Sequence, residues 1–142
     1  MPGLPPLFNN LRLPLVAAPL FIISNPDLVI AQCKAGVVGS FPALNAREDK
    51  GEQIMLERWL QKINEQLDQY NQENPDNPAA PFAVNQIVHR SNKRLDRDLE
   101  ICAKWKVPIW ITSLGARVEV NDAAHSCGGV AFHDIINNLF AK

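Results

Sequence analysis

The sequence predicts an α/β protein in which short buried strands alternate with amphipathic helices around a parallel sheet. Apolar runs rich in β-branched and aromatic residues recur along the chain, and segments with apolar residues at three- and four-residue spacing separate them. The chain has 142 residues, 46% of them hydrophobic, which is enough to form one domain with a buried core. The five predicted strands cover residues 15–21, 37–40, 82–88, 107–113 and 130–134.

The segments between these strands carry helix signals. Asn25 is a suitable N-cap for the first helix, with Pro26 at its first position and Gly36 just beyond its end. Apolar residues recur every three or four positions from Leu56 to Tyr70, so a long helix with one apolar face is predicted there. Residues 71–81 contain several prolines and are predicted to be a loop, further helices are predicted at residues 94–105 and 118–125, and residues 137–142 begin a helix within which the sequence ends.

Composition argues against several classes of function. The formal net charge is -1 and the basic residues are scattered, so nucleic acid is not an expected partner. Cys33, Cys102 and Cys127 form no C-x-x-C pair, which is typical of reduced thiols in a cytoplasmic protein. The apolar run at residues 13–23 is interrupted by prolines and is too short to cross a bilayer, so no membrane association is expected.

Ligands of parallel α/β folds bind where the strands end, at their carboxyl edge. The first predicted strand contains Ala18, Pro19 and Leu20, whose small or compact side chains would let a flat ligand approach the backbone. An ordinary packing turn explains the same residues. Asn85 lies in the third predicted strand, where its amide needs hydrogen-bond partners, supplied either by a ligand ring or by neighbouring backbone.

Two further strand ends carry candidate residues. Ser113 closes the fourth predicted strand, where its hydroxyl can bind a ligand or cap the turn. His133 lies at the end of the fifth predicted strand, at the expected mouth of the site, although a hydrogen bond to a neighbour explains it as well. His89, His125 and His133 are too dispersed for a recognisable metal motif, so no metal is predicted. Dinucleotide, Walker and nucleophile-elbow motifs are also absent from the sequence.

A five-stranded open sheet of the flavodoxin type is the fold that length and periodicity alone favour. The strands, however, carry a recognisable set of segments: PLVAAPLF at residues 14–21, AGVVGSFPA at residues 35–43, FAVNQIVH at residues 82–89, ITSLG at residues 111–115 and VAFHD at residues 130–134. These segments resemble the nitronate monooxygenases, formerly 2-nitropropane dioxygenases, and related FMN-dependent barrel oxidoreductases. The resemblance implies the N-terminal half of a (β/α)₈ TIM barrel, forming a single partial domain over residues 1–142.

The resemblance further implies that FMN binds at the barrel mouth and that alkyl nitronates are oxidised by molecular oxygen to a carbonyl compound and nitrite. Leu20 stands where the family often has Met, a change that conserves volume. The residues that the family pattern places against FMN are Ala18, Pro19 and Leu20 through their backbone, Asn85 at the edge of the ring, and Ser113 and His133 in the pocket lining.

The family's catalytic His lies beyond the fifth strand, so the resemblance assigns no catalytic residue to this chain. The FMN phosphate is likewise expected on later barrel loops. A half barrel leaves its outer strands unpaired, so an oligomer of identical chains or a complementary half barrel is the expected partner besides the nitronate substrate. Two alternatives stay open: a non-catalytic α/β module that self-associates, and an NAD(P)H-dependent flavin reductase of enone or enoyl substrates.

Overall fold

A computed structural model describes residues 5–48 and 55–139, which build a parallel sheet of four strands with helices against one face. This confirms the predicted α/β fold with parallel βα repeats. In chain order the elements are α1 (Pro26–Lys34), β1 (Gly39–Pro42), α2 (Met55–Glu73), β2 (Phe82–Ile87), α3 (Leu95–Lys104), β3 (Ile109–Ser113), α4 (Val118–Ser126) and β4 (Val130–His133), and single 3₁₀ turns lie at Pro6–Phe8 and Ala43–Asn45.

The start of α1 follows the predicted capping pattern. The Asn25 side-chain oxygen accepts a hydrogen bond from the Leu28 N–H at 3.0 Å, and Pro26 occupies the first helical turn. Gly36 follows the helix with a φ of 88°, a left-handed conformation that favours glycine. Gly36 therefore turns the chain from the end of α1 towards β1.

The sheet has the strand order β1-β2-β3-β4, and all pairs are parallel. Because each strand lies beside the next one in sequence, all carboxyl ends meet at one edge of the sheet. Asn85 is paired with Pro42 on one side and with Ile111 on the other. Thr112 is paired with His133 at the end of β4.

The prediction of a regular first strand at residues 15–21 is wrong. Within the described residues it forms only an isolated parallel bridge between Val16 and Val38. Pro14 and Pro19 lack the N–H groups that a longer ladder needs, and Val16 is 40% exposed, so burial does not stabilise a strand there either. The segment is therefore an extended edge beside β1, and the sheet has four regular strands instead of five.

The two faces of the sheet bury different sets of side chains. On the outer face, Phe41, Val84 and Trp110 pack against the helices in the main hydrophobic cluster. On the inner face a smaller cluster forms around Phe8 from the N-terminal 3₁₀ turn, whose ring also stacks on Phe132 at a centroid distance of 5.9 Å. The inner cluster contains Phe8, Val38, Ala83 and Ile109, with Leu7, Leu11, Ile111 and Val130 partly buried against it.

Other boundaries also differ from the sequence prediction. The second predicted strand, residues 37–40, lies at Gly39–Pro42, and the fourth begins at Ile109 instead of residue 107. Helix α2 continues to Glu73, three residues into the segment predicted as a loop, because the first proline comes only at Pro75. Residues 137–139 are not helical, and residues 140–142, the rest of the predicted last helix, lie outside the described residues. The described chain therefore ends in irregular structure after β4.

Candidate functional site

The inner face of the sheet carries polar side chains near its carboxyl edge, the side chains of Asn85 and Ser113. Both belong to the set of inward-facing positions, because side chains alternate along a strand and Ala83 and Ile109 point into the inner cluster. The Asn85 amide nitrogen donates to the Ser113 hydroxyl at 2.8 Å and to the Ile111 carbonyl at 3.2 Å. The structure therefore brings two of the predicted site residues into direct contact.

The Asn85 side chain is only 3% exposed, yet its carbonyl oxygen remains available. No described residue donates a hydrogen bond to this oxygen, and it is not among the fully buried side-chain atoms without a partner. An acceptor that is held in place by the two hydrogen bonds of its own amide nitrogen and is not fully buried suits a ligand with an N–H group. The isoalloxazine ring system of a flavin carries such a group.

His133 lies on the other face of the sheet. It is paired with Thr112, which alternates with the outward-facing Trp110, and the Thr112 hydroxyl and the His133 Nδ1 are 2.6 Å apart. His133 does line a cavity of about 350 Å³ at the carboxyl edge, between the loops after β3 and β4. The cavity is also lined by Leu114, Gly115, Ala116, Asp134, Ile135 and Ile136.

The predicted residues Ala18, Pro19 and Leu20 follow the bridge between Val16 and Val38. They belong to the N-terminal loop, which comprises residues 17–24. The Ala17 N–H donates to the Val38 carbonyl at 2.8 Å, and the Ser40 hydroxyl donates to the Ala17 carbonyl. Ala18 is exposed and Leu20 is 44% exposed, so this loop presents both backbone and apolar surface.

Sequence reasoning missed Ser40 and Asn45, which hold the N-terminal loop in place. Ser40 is fully buried in β1, and Asn45, 9% exposed, hydrogen-bonds three backbone groups of the loop. A serine in the apolar run from Gly39 to Pro42 was a visible signal for the first residue. Asn45 gave no signal, because its partners are more than twenty residues away in sequence.

Buried titratable groups lie on the helix side of the sheet. Burial raises the pKa of the Cys33 thiol to about 11 and the pKa of the Cys102 thiol well above its usual value, so neither is a thiolate near neutral pH. Burial also raises the pKa of Asp98, against the attraction of Arg94. These groups pack behind the sheet, and the two thiols have the character of core residues.

The described residues contain no cluster of three or more His, Cys, Asp or Glu side chains that could hold a metal ion. None of the helices in ranges 5–48 and 55–139 combines the length and apolar character required to span a membrane.

Comparisons with known proteins identify the fold. No protein-family model matches the chain, and no curated protein sequence matches it. Among solved structures, the chain is similar to the FabK (M276A) mutant from Thermotoga maritima, with a TM-score of 0.67 and 17% identity over 94% of this chain. The match covers 40% of the FabK chain, so this chain spans less than half the length of that structure. FabK has a TIM-barrel fold, and the chain has the architecture of a partial TIM barrel.

Proposed function

We propose that this chain is part of an FMN-dependent oxidoreductase that oxidises alkyl nitronates with molecular oxygen to a carbonyl compound and nitrite. The observation that carries the proposal is the Asn85–Ser113 pair, a fixed polar site on the inner face at the carboxyl edge of a partial TIM barrel. That edge is where TIM barrels bind their ligands. The strand sequences around these residues add the resemblance to nitronate monooxygenases.

The described residues fit a flavin in two ways. The free Asn85 carbonyl oxygen would accept a hydrogen bond from the ring edge, oriented by Ser113. The backbone of Ala18, Pro19 and Leu20 would lie against the flat ring system, since their loop is exposed at the same edge. When bound, FMN would supply the redox chemistry, accepting electrons from the substrate and passing them to oxygen.

We assign His133 a role separate from that of the Asn85–Ser113 pair. Its hydrogen bond to Thr112 fixes the imidazole beside the apolar cavity of about 350 Å³. We assign it to the pocket lining, where it would contact the substrate or the cofactor rim, and not to the Asn85 pair. No catalytic base is assigned to this chain.

We infer that the open edges of the sheet are covered by further protein. Exposed apolar side chains concentrate in the N-terminal loop beside β1 and in the segment after β4, and such surface in a soluble protein marks an interface. We infer that the remaining βα units of the barrel cover both edges, supplied by a complementary half barrel or by a second copy of this chain. The exposed residues are Leu20, Phe21, Ile22 and Ile23 at one edge and Phe132, Ile135, Ile136 and Leu139 at the other.

The test is FMN binding by the purified chain, measured from the flavin absorption that remains after incubation with excess FMN and desalting. We expect retained flavin and a roughly fivefold higher Kd for Asn85→Ala, because one lost hydrogen bond to a fixed acceptor is worth about 1 kcal/mol. Asn77→Ala, in an exposed loop, is the matched control and should bind FMN as the wild type does. A protein that stays colourless would refute flavin binding by this chain.

The reaction is tested with the flavin-loaded protein under anaerobic conditions. Bleaching of the flavin by an alkyl nitronate, followed by nitrite release when oxygen is admitted, is the expected result. Bleaching by NADPH but not by the nitronate would instead assign the chain to the reductases and refute the proposed reaction.

A further inference from the structure

The side chain of Asn45 makes three hydrogen bonds to the N-terminal loop. Its Oδ1 accepts from the Ile22 N–H at 3.1 Å, and its Nδ2 donates to the carbonyls of Leu20 and Ser24, both at 2.9 Å. Both amide hydrogens and the oxygen are therefore used by a segment 21 to 25 residues earlier in the sequence. Asn45 replaces, for this loop, the ladder hydrogen bonds that a strand would have provided.

Burial does not explain the shape of this loop. Phe21, Ile22 and Ile23 are between 61% and 67% exposed, so their side chains gain little from packing within the described residues. Ile22 has a φ of 66°, a left-handed conformation that is rare for a β-branched residue. Polar contacts must therefore impose the conformation, and Ser24 adds to them by accepting from the Leu20 N–H at 2.9 Å.

Contacts with the helix layer fix the backbone next to Asn45. It ends the 3₁₀ turn after β1, and the carbonyl of the next residue, Ala46, accepts a hydrogen bond from the Arg94 guanidinium at 2.9 Å. Arg94 is paired in turn with the fully buried Asp98 of α3 at 3.2 Å. The contacts thus run without a break from α3 to the loop that carries Ala18, Pro19 and Leu20.

We propose that Asn45 is a positioning residue for the flavin site. It holds the N-terminal loop in the strained shape that presents the backbone of residues 18–20 to the ring of bound FMN. This inference rests on the proposed function, because it takes FMN as the ligand at this edge. A strained loop held by buried polar contacts, with its apolar side chains still exposed, is an arrangement found where a binding surface is preorganised.

The test compares Asn45→Ala with Asn74→Ala. Asn74 is a matched control, since its amide also donates to a backbone carbonyl, that of Tyr70 at 2.9 Å, but at the end of α2 and outside the loop. We expect Asn45→Ala to raise the Kd for FMN at least tenfold, to change the visible circular dichroism of the bound flavin, and to speed amide exchange in residues 17–24. Asn74→Ala should leave all three unchanged.

Ser24→Ala keeps the test valid if Asn45→Ala does not fold. It removes the bond to the Leu20 N–H and should raise the Kd in the same direction, about threefold. Wild-type FMN affinity and wild-type loop exchange in both Asn45→Ala and Ser24→Ala would overturn the role of Asn45 while leaving the proposed function intact. A wild-type protein that binds no FMN would overturn the proposed function, and the flavin role of Asn45 with it.

Discussion

Replacing Gly39 by alanine should separate β1 from α1, because the strand approaches the helix too closely for a side chain. A Cβ at this position would lie 2.5 Å from the Val29 carbonyl oxygen, 3.0 Å from the Cys33 Sγ and 3.1 Å from a Val29 methyl group. Ordinary contact begins at 3.4 Å, so the backbone oxygen and the new methyl must move apart by about 0.9 Å. Overpacking of this kind costs about 1–3 kcal/mol of unfolding free energy.

The movement should also reach the candidate site. Val38 and Ser40 flank Gly39, and they hold the N-terminal loop through the Val38 carbonyl and the Ser40 hydroxyl. We therefore expect Gly39→Ala to lower the Tm by several degrees and to speed exchange of the Ala17 amide, as measured by thermal denaturation and hydrogen–deuterium exchange.

Gly128→Ala is the control for this experiment. Gly128 has a φ of 81° but nothing within 4 Å of a Cβ, so alanine there introduces backbone strain without crowding. It should cost about 1 kcal/mol and leave the Ala17 amide protected. Unchanged stability of Gly39→Ala, or Ala17 exchange equal to that of Gly128→Ala, would refute the steric reasoning.

Two further predictions concern charge and assembly. Because burial raises the pKa of Asp98, the folded state binds the carboxyl proton more tightly than the unfolded state does. This tighter proton binding stabilises the fold at low pH, and the stabilisation is lost as the pH rises through the raised pKa. The unfolding free energy of wild type relative to Asp98→Asn should thus fall from about pH 4 upward in urea titrations, and a rise would contradict this. If apolar edges drive association, Ile136→Lys, at a site 87% exposed, should lower the mass found by light scattering, whereas a monomeric wild type would contradict self-association.

Local signals made most of the fold predictable from the sequence. The cap at Asn25, the proline at its first helical turn and the glycine after α1 act within a few residues, and all appear in the structure as predicted. The strand at residues 15–21 was wrong because an apolar run does not reveal whether neighbouring strands cover it. Among the residues that the structure describes, only Val38 pairs with the segment, through a single bridge.

The candidate site was less predictable, since its geometry depends on strand alternation and long-range contacts. The sequence predicts Asn85 within the third strand and Ser113 at the end of the fourth, and the register of β2 against β3 brings them together. The run Val130–His133 is apolar at its first three positions, so the sequence gives no period that tells the inner from the outer face. The resemblance places His133 with Ser113 in the pocket lining, and the pairing with Thr112 shows that the two side chains lie on different faces of the sheet.

A partial barrel can still hold a candidate ligand-binding residue in a fixed geometry, because its polar site and its exposed apolar residues lie in different parts of the sheet. Asn85 lies on β2, which is paired on both sides, so its geometry is fixed by β1 and β3 without any further strand. Most of the exposed large apolar residues lie instead at the two outer edges, where additional βα units would pack. The proposed contact of Asn85 with a flavin ring therefore needs no strand beyond β1, β2 and β3, whereas the N-terminal loop and the rest of the proposed pocket border the open edges.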